Sequence, residues 1–307
     1  MLAFRGHNTL SNTCSSCDGA PKSGHLKGEN MVQQSHWQSE YQSRLQSADE
    51  AVSRLKDGQR LILPTLAGQP PGLIAAMGRR LRDGKLARVR PSTILPTPYL
   101  ANALLQPEHS DYLDWDSLFC GNSDRLGVFE GRYDMTPMHF GQMPKIMRED
   151  LQVGAVMTLA SPPNADGYMS VGISIDYTKS LIDWAHFSLV EVNPNVPRVF
   201  GDCRVHVSEV SAIVESDDDI FELPNPLGTP EDEKIGALIA ERIPDGATIQ
   251  LGYGAAPSAV GLCLIDHKHL GIHTEMFVDA MRVLMDAGVA DNSRKSINPG
   301  KTLYTFA

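Results

Sequence analysis

The stretch Gly271-Ile-His-Thr-Glu275-Met-Phe-Val-Asp279 gathers a histidine, a hydroxyl and two carboxylates where a short apolar run gives way to a helical pattern. Open α/β sheets hold their ligands at such strand-to-helix junctions, which makes Glu275 a candidate site residue. A carboxylate in a first helical turn is also favoured by the helix dipole without any function, so residue type alone leaves both readings open. His273, next to it, reads as a packed histidine rather than a catalytic one. Upstream, Gly252-x-Gly254 follows an apolar run and precedes a helical one. The amides of the Gly252-x-Gly254 turn are therefore candidates to cradle a phosphate or an oxyanion. Pro257 and Ser258 stand where a dinucleotide fingerprint would continue, and a simple tight turn explains the glycines equally well. Asp166-Gly167 and Asp176-Tyr177 lie in a segment dense in Gly, Pro and Ser, suited to a polar turn between strands or to a pocket wall. Cys14 and Cys17 form a CxxC, but Cys120, Cys203 and Cys263 stand alone, so neither a metal nor a redox site is expected. No Ser/His/Asp order, HExxH or P-loop is present.

The elements that must position these residues follow from capping and periodicity. Ser47-Ala-Asp-Glu50 is a capping-box signature, and Ala51, Val52 and Leu55 give the helical stripe behind it. Leu61 to Leu63 reads as a buried strand that runs into the loop Pro64–Pro71. Pro71 suits the first turn of a helix ending near Gly84, and Ala87 to Leu95 is the next strand. That order implies a doubly wound parallel sheet. The same grammar returns: a helix opened by Thr229-Pro230 with Ile235, Leu238 and Ile239 on one face, a stop at Asp245-Gly246, and a strand from Ala247 to Leu251. The Gly252–Pro257 loop, a helix from Ser258 to Ile265 and a strand near Gly271 to His273 complete the second copy. A helix from Met276 to Ala287, closed by Gly288, and an apolar strand from Thr302 to Ala307 follow.

The balance of 27 Lys+Arg against 37 Asp+Glu, a net charge of −10, disfavours non-specific binding to nucleic acid or to an anionic membrane. No apolar run reaches the roughly 18–20 residues of a membrane span, and no secretory leader is read, so a cytoplasmic protein is expected. Residues 1–30 are polar and aperiodic, and are expected to form a disordered extension. Residues 205–233 carry nine acids and no Lys or Arg, together with Pro224 and Pro226, the composition of an interdomain linker. The expected division is a first domain over 31–228, with the acidic linker at its end, and a second beginning at 229. Set against the first copy, the second is expected to be incomplete at residue 307.

Taken together, the chain resembles the acetyl-CoA hydrolase/transferase family, and within it the 4-hydroxybutyrate (butyryl/acetate) CoA-transferases. The matching segments include Ala48-Asp-Glu-Ala51, Ser161-Pro-Pro163 with Asp166-Gly167, Ser174-Ile-Asp-Tyr177, Glu191-Val-Asn193, Gly201-Asp202 and His206-Val-Ser-Glu209. Ile249 to Pro257, Leu270 to Met276, Ala287-Gly-Val289 and Pro299-Gly-Lys301 continue the family's order. The resemblance implies two similar α/β domains of the CoA-transferase (NagB/RpiA-like) type, the second incomplete. It implies that Glu275 is the catalytic carboxylate, that acyl-CoA and a short-chain carboxylate are the substrates, and that coenzyme A is a cosubstrate rather than a resident cofactor.

On this basis the expected activity is CoA transfer through an acyl-glutamyl anhydride and a glutamyl-CoA thioester, with Gly252, Gly254 and Ala255 as backbone donors to the oxyanions. The alternatives are a hydrolase using the same Glu275, or an inactive truncated chain with a binding role. Three departures from the family pattern stand out. Val278-Asp279-Ala280 replaces the usual Ser-Asp-Gly, and Thr65 stands where some relatives carry a histidine. A downstream Gly-Gly-Gln-x-Asp-Phe segment is absent. An open second domain would expose apolar surface, so a homo-oligomer is expected.

Overall fold

Ser47 opens its helix as the capping box requires: its hydroxyl accepts the Glu50 amide at 3.3 Å while the Glu50 carboxylate accepts the Ser47 amide at 2.9 Å. The structure, a computed structural model, describes residues 36–86 and 88–307. The extension at 1–30 and the Cys14/Cys17 pair lie outside the described residues.

Seven parallel strands make the main sheet: β1 (Arg60–Ile62), β2 (Arg90–Ile94), β3 (Asp116–Phe119), β4 (Asp134–Met135), β5 (Ala155–Ala160), β7 (Phe187–Val192) and β9 (Ala212–Glu215). Their spatial order is β4-β3-β2-β1-β5-β7-β9. Between them in sequence, β6 (Tyr168–Ser170) and β8 (Arg204–His206) pair antiparallel as a separate ribbon. The central strands β5 and β7 are buried along their whole length, which is why they read as near-continuous apolar runs. Side chains alternate across the sheet. Leu61, Met157 and Leu189 enter one core with Leu73 and Trp115, whereas Ile62, Val156 and Val190 enter the other with Met147 and Tyr177.

Helices cover both faces: α1 (His36–Arg44), α2 (Ala48–Val52), α3 (Pro71–Arg82), α4 (Pro98–Leu104), α5 (Arg125–Phe129), α6 (Met143–Glu149) and α7 (Thr178–Ile182). This is the doubly wound arrangement that the order of elements predicts.

After residue 229 the opening unit of the fold recurs. The helix α8 (Pro230–Ala240), the strand β10 (Thr248–Ile249), the helix α9 (Ala255–Cys263) and the strand β11 (Gly271–Ile272) follow one another. β10 and β11 pair in parallel, as β1 and β2 do. The helix α10 (Asp279–Asp286) comes next. No helix among the described residues is long and apolar enough to cross a membrane.

Four local expectations are corrected. The acidic segment is not linker from its start: residues 204–215 supply β8 and β9, whose inner side chains are buried, and only the run from 216 onward leaves the sheet. The stripe Ile235, Leu238 and Ile239 is 44%, 55% and 42% exposed; α8 instead buries Gly236 and Ala240 against α9. Thr302 to Ala307 is not a strand. It makes single bridges, Leu303 with His273 and Phe306 with both Met276 and Ser174. His273 is exposed rather than packed, because its place in the extended segment turns it away from the core.

Candidate active site

Glu275 lies on the short connection between β11 and α10, and that connection is fixed by backbone bonds. The Ile272 amide donates to the Asn292 side chain at 2.8 Å, and the buried Lys295 ammonium donates to the Ile272 carbonyl at 2.7 Å. Thr274 folds the next step by donating to the Met276 carbonyl at 2.9 Å. The Glu275 carbonyl accepts the Thr305 amide at 2.9 Å and its hydroxyl at 2.8 Å, with the Phe306 amide at 3.3 Å. The Glu275 side chain is exposed, and no hydrogen bond or ion pair among the described residues engages its carboxylate. Held backbone and free carboxylate together suit a group that must form and release covalent bonds.

Beside this segment runs a cleft of about 530 Å³. Met276, Phe277 and Val278 form one wall, and Leu66 and Ala67 form the facing one. The facing wall is a single 3₁₀ turn, Leu66–Gly68, in which Leu66 takes a left-handed φ of +44°. Such a conformation costs a non-glycine residue about 1 kcal/mol or more, so its surroundings must impose it.

Buried polar groups do so from several sides. Asp176 accepts the Thr65 amide at 3.0 Å and the Ser174 hydroxyl at 2.8 Å, and its other oxygen accepts the Thr178 amide at 2.9 Å and hydroxyl at 2.7 Å. Part of the residue's surface remains in solvent, yet its carboxylate is enclosed, and burial pushes it above the usual carboxylate range. Tyr177 donates to the Leu63 carbonyl at 2.8 Å. Gln69 donates to the Pro64 carbonyl at 3.0 Å and accepts the Thr97 amide at 2.9 Å, while Tyr99 donates to the Gln69 carbonyl. Where the turn enters α3, Glu191 accepts the Leu73 amide at 2.8 Å and the Gly72 amide at 3.2 Å.

A third wall comes from the acidic segment, through Ile220, Phe221 and Leu223. Tyr253 anchors it by donating to the Pro224 carbonyl at 2.7 Å, and Asn225 donates to Asp279. A linker reading missed this role. The signal available in the sequence was the apolar triplet Ile220, Phe221 and Leu223 interrupting a run of acids.

Of the sequence candidates, Glu275, Gly252, Gly254 and Ala255 are not among the residues that line this cleft, whereas their neighbours Met276 and Tyr253, the latter between the two glycines, are. Gly252 faces a separate groove with Ile239 and Ile249, and Ala255 lines a third depression with Asp279. Gly254 is the N-cap of α9 with φ +142°, a conformation that requires glycine. Thr65 is buried and holds the turn. Ala280, the residue in place of the family's glycine, packs against Gly261 of α9, where an added Cβ on the glycine would come within 2.6 Å of the alanine Cβ. That substitution thus belongs to the α9–α10 contact. Asp166 sits in the exposed turn between β5 and β6.

A doubly wound sheet, a repeat of its opening helix–strand–helix–strand unit and an acid at the following junction define the CoA-transferase-like α/β class. RipA from Yersinia pestis superposes with a TM-score of 0.85 at 32% identity, covering 89% of this chain and 65% of that one. The 4-hydroxybutyrate CoA-transferase of Porphyromonas gingivalis gives 0.71 at 30% identity, covering 88% and 65%. Residues 29–223 match the acetyl-CoA hydrolase/transferase N-terminal domain, and the chain belongs to that family. It is 35% identical to the 4-hydroxybutyrate coenzyme A transferase of Clostridium kluyveri over 88% of its length, which is 62% of that protein. It is 33% identical to the succinyl-CoA:cyclohexane-1-carboxylate CoA transferase of Geobacter metallireducens, again over 88% of this chain and over 61% of the relative. The chain therefore spans about three fifths of the length of these relatives.

Proposed function

We propose that this protein moves CoA from an acyl-CoA to a short-chain carboxylate, with Glu275 as the nucleophile. A Glu275 carboxylate oxygen attacks the thioester carbonyl carbon, the C–S bond breaks, and CoA leaves as thiolate from a mixed acyl–glutamyl anhydride. The thiolate attacks the glutamyl carbonyl, which releases the first acid as carboxylate and leaves a glutamyl-CoA thioester. The acceptor carboxylate then attacks that thioester and forms a new anhydride. Returning thiolate takes the acceptor's acyl group, and Glu275 is free again. Each step exchanges one activated carbonyl for another of similar energy, which is what divides the overall barrier. Oxyanions arise at every step. The amides around Gly252, Gly254 and Ala255, next to the cleft at the start of α9, are the donors we assign to them.

Carrying this reading is the position of Glu275: backbone fixed by three donors, carboxylate unengaged, next in sequence to Met276 in the wall of the cleft, in a chain of this family. The cleft mixes apolar side chains such as Leu66, Ile173, Ile220 and Phe277 with the carboxylates of Glu222 and Asp279, and among the described residues no Lys, Arg or His lines it. The family match ending at 223 supports a division into a first domain over 31–228 and a second from 229.

The test is acyl-group exchange in the complete protein with Glu275→Gln beside the wild type. Loss of exchange by about a thousandfold or more, with a CoA adduct on the Glu275 peptide in the wild type alone, is the expected result. Exchange surviving the substitution overturns it. Acyl-CoA consumption that needs no acceptor acid would make the protein a hydrolase instead.

A further inference from the structure

Thr305 is one of the residues through which the two facing walls of the cleft meet. Thr305 gives both its amide (2.9 Å) and its hydroxyl (2.8 Å) to the Glu275 carbonyl. Its own carbonyl accepts the amides of Ile175 at 2.9 Å and Asp176 at 3.3 Å. Asp176 then accepts the Thr65 amide at 3.0 Å, and Thr65 opens the turn that carries Leu66 and Ala67 into the cleft. Glu275, Thr305, Asp176 and Thr65 thus form an unbroken hydrogen-bonded line from one wall to the other.

Most of the bonds on either side of this line are backbone ladder, such as Ala307 to Ile173 at 3.0 Å and Phe277 to Phe306 at 2.9 Å. Those are insensitive to side-chain identity. Among the donors on the Glu275 carbonyl, the Thr305 hydroxyl is the side-chain one. A third donor restrains the carbonyl's orientation, hence the backbone angles from which the Glu275 side chain departs. Covalent catalysis is sensitive to such restraint, since a misplacement of about 1 Å can cost on the order of a hundredfold in rate.

We propose that Thr305 is a positioning residue for the reaction, its hydroxyl fixing Glu275 relative to the Thr65–Gly68 turn. This rests on the reading of Glu275 as the nucleophile. Thr305 is half-buried, so on removal of the hydroxyl water can satisfy the Glu275 carbonyl. What is lost is orientation more than stability.

Thr305→Val keeps the shape and the backbone bonds and deletes the donor; Thr305→Ser keeps the donor. In the complete protein, Thr305→Val is expected to lower kcat about tenfold, with both KM values within about twofold and the melting temperature within about 2 °C. Thr305→Ser is expected to return kcat to within about twofold of wild type. In a readout independent of turnover, the Phe277 and Phe306 amides should exchange hydrogen about fivefold faster in Thr305→Val and at the wild-type rate in Thr305→Ser. Unchanged kcat in Thr305→Val, or an equal loss in both variants, overturns the proposal. Glu275→Gln, assayed alongside, separates the failures. If exchange survives in it, or the wild type transfers nothing, the nucleophile reading falls, and amide exchange rates equal in all three Thr305 forms would also remove the restraint itself. If Glu275→Gln is inactive while Thr305→Val equals wild type, the positioning role alone falls.

Discussion

Glu191 is fully buried on β7 and presents its two carboxylate oxygens to two backbone amides at the start of α3. Replacing it with Gln keeps the shape and removes one acceptor. Whichever way the amide group is turned, one of the Gly72 and Leu73 N–H groups then faces an NH₂ donor. A buried donor left without a partner costs about 1–3 kcal/mol, and losing negative charge at a helix N-terminus adds about 0.3–1 kcal/mol. Against this, a neutral side chain escapes the desolvation that dominates at Glu191 and holds its carboxyl above the usual range, with Asp218 nearby adding to the effect. The sign of the pH dependence follows. A carboxyl whose folded pKa is raised contributes most below its unfolded value, near the ordinary 4.5, and that contribution fades as pH climbs through the folded value. The stability of the wild type relative to Glu191→Gln is therefore expected to be greatest near pH 4.5 and to fall with rising pH, at a slope of up to about 1.4 kcal/mol per pH unit. Urea unfolding at one-unit steps from pH 4.5 to about 7.5, followed by tryptophan fluorescence, measures the difference, in which the other carboxylates cancel. A gap that widens with pH would refute the reasoning, because the helix amides would then be stabilising the charge by more than burial penalises it.

Two substitutions in the second unit test its packing. Thr229→Ala removes the hydroxyl that accepts the Asp232 amide at 3.2 Å, and should cost about 1 kcal/mol in urea unfolding; no shift would mean α8 is held by its contacts alone. Gly236→Ala would ordinarily favour a helix by about 1 kcal/mol. Here the added Cβ meets the Ala259 backbone at 2.8 Å, so a net loss of about 1–3 kcal/mol is expected, and a raised melting temperature would show that α8 and α9 can separate freely.

Elements announced by local chemistry were legible in the sequence. The Ser47 and Thr229 caps, Pro71 at the first turn of α3 and the buried run of β1 each depend on neighbours within a few residues. So did the recurrence of the opening unit, which the parallel pairing of β10 with β11 bears out. What was not legible depends on partners far away in sequence. The α8 stripe has the right period, but the face that packs was chosen by the small residues Gly236 and Ala240, which admit α9 closely. The acidic segment has the composition of a linker, and only its contact with Tyr253 and Asp279 makes it a wall. Asp176 reads as a turn residue. Its role appears only when Thr65, more than a hundred positions earlier, arrives at its carboxylate.

The same division explains how the site is built. A nucleophilic carboxylate that is bonded covalently to two different partners in one cycle cannot be tied down by its own oxygens, because every such bond would have to break at each step. If Glu275 is the nucleophile we propose, precision must then enter through the backbone, where its carbonyl accepts three donors. The buried carboxylates are arranged in the opposite way. Asp176 spends one oxygen on the Thr65 amide and the Ser174 hydroxyl and the other on Thr178 of α7, and Glu191 spends both of its oxygens on amides at the start of α3. Burial disfavours their charge, but satisfied donors let the chain hold Leu66 in a left-handed conformation it would not otherwise adopt. On the proposed function, acids thus do two jobs in this fold, and the difference lies in whether the oxygens or the main chain carry the restraint.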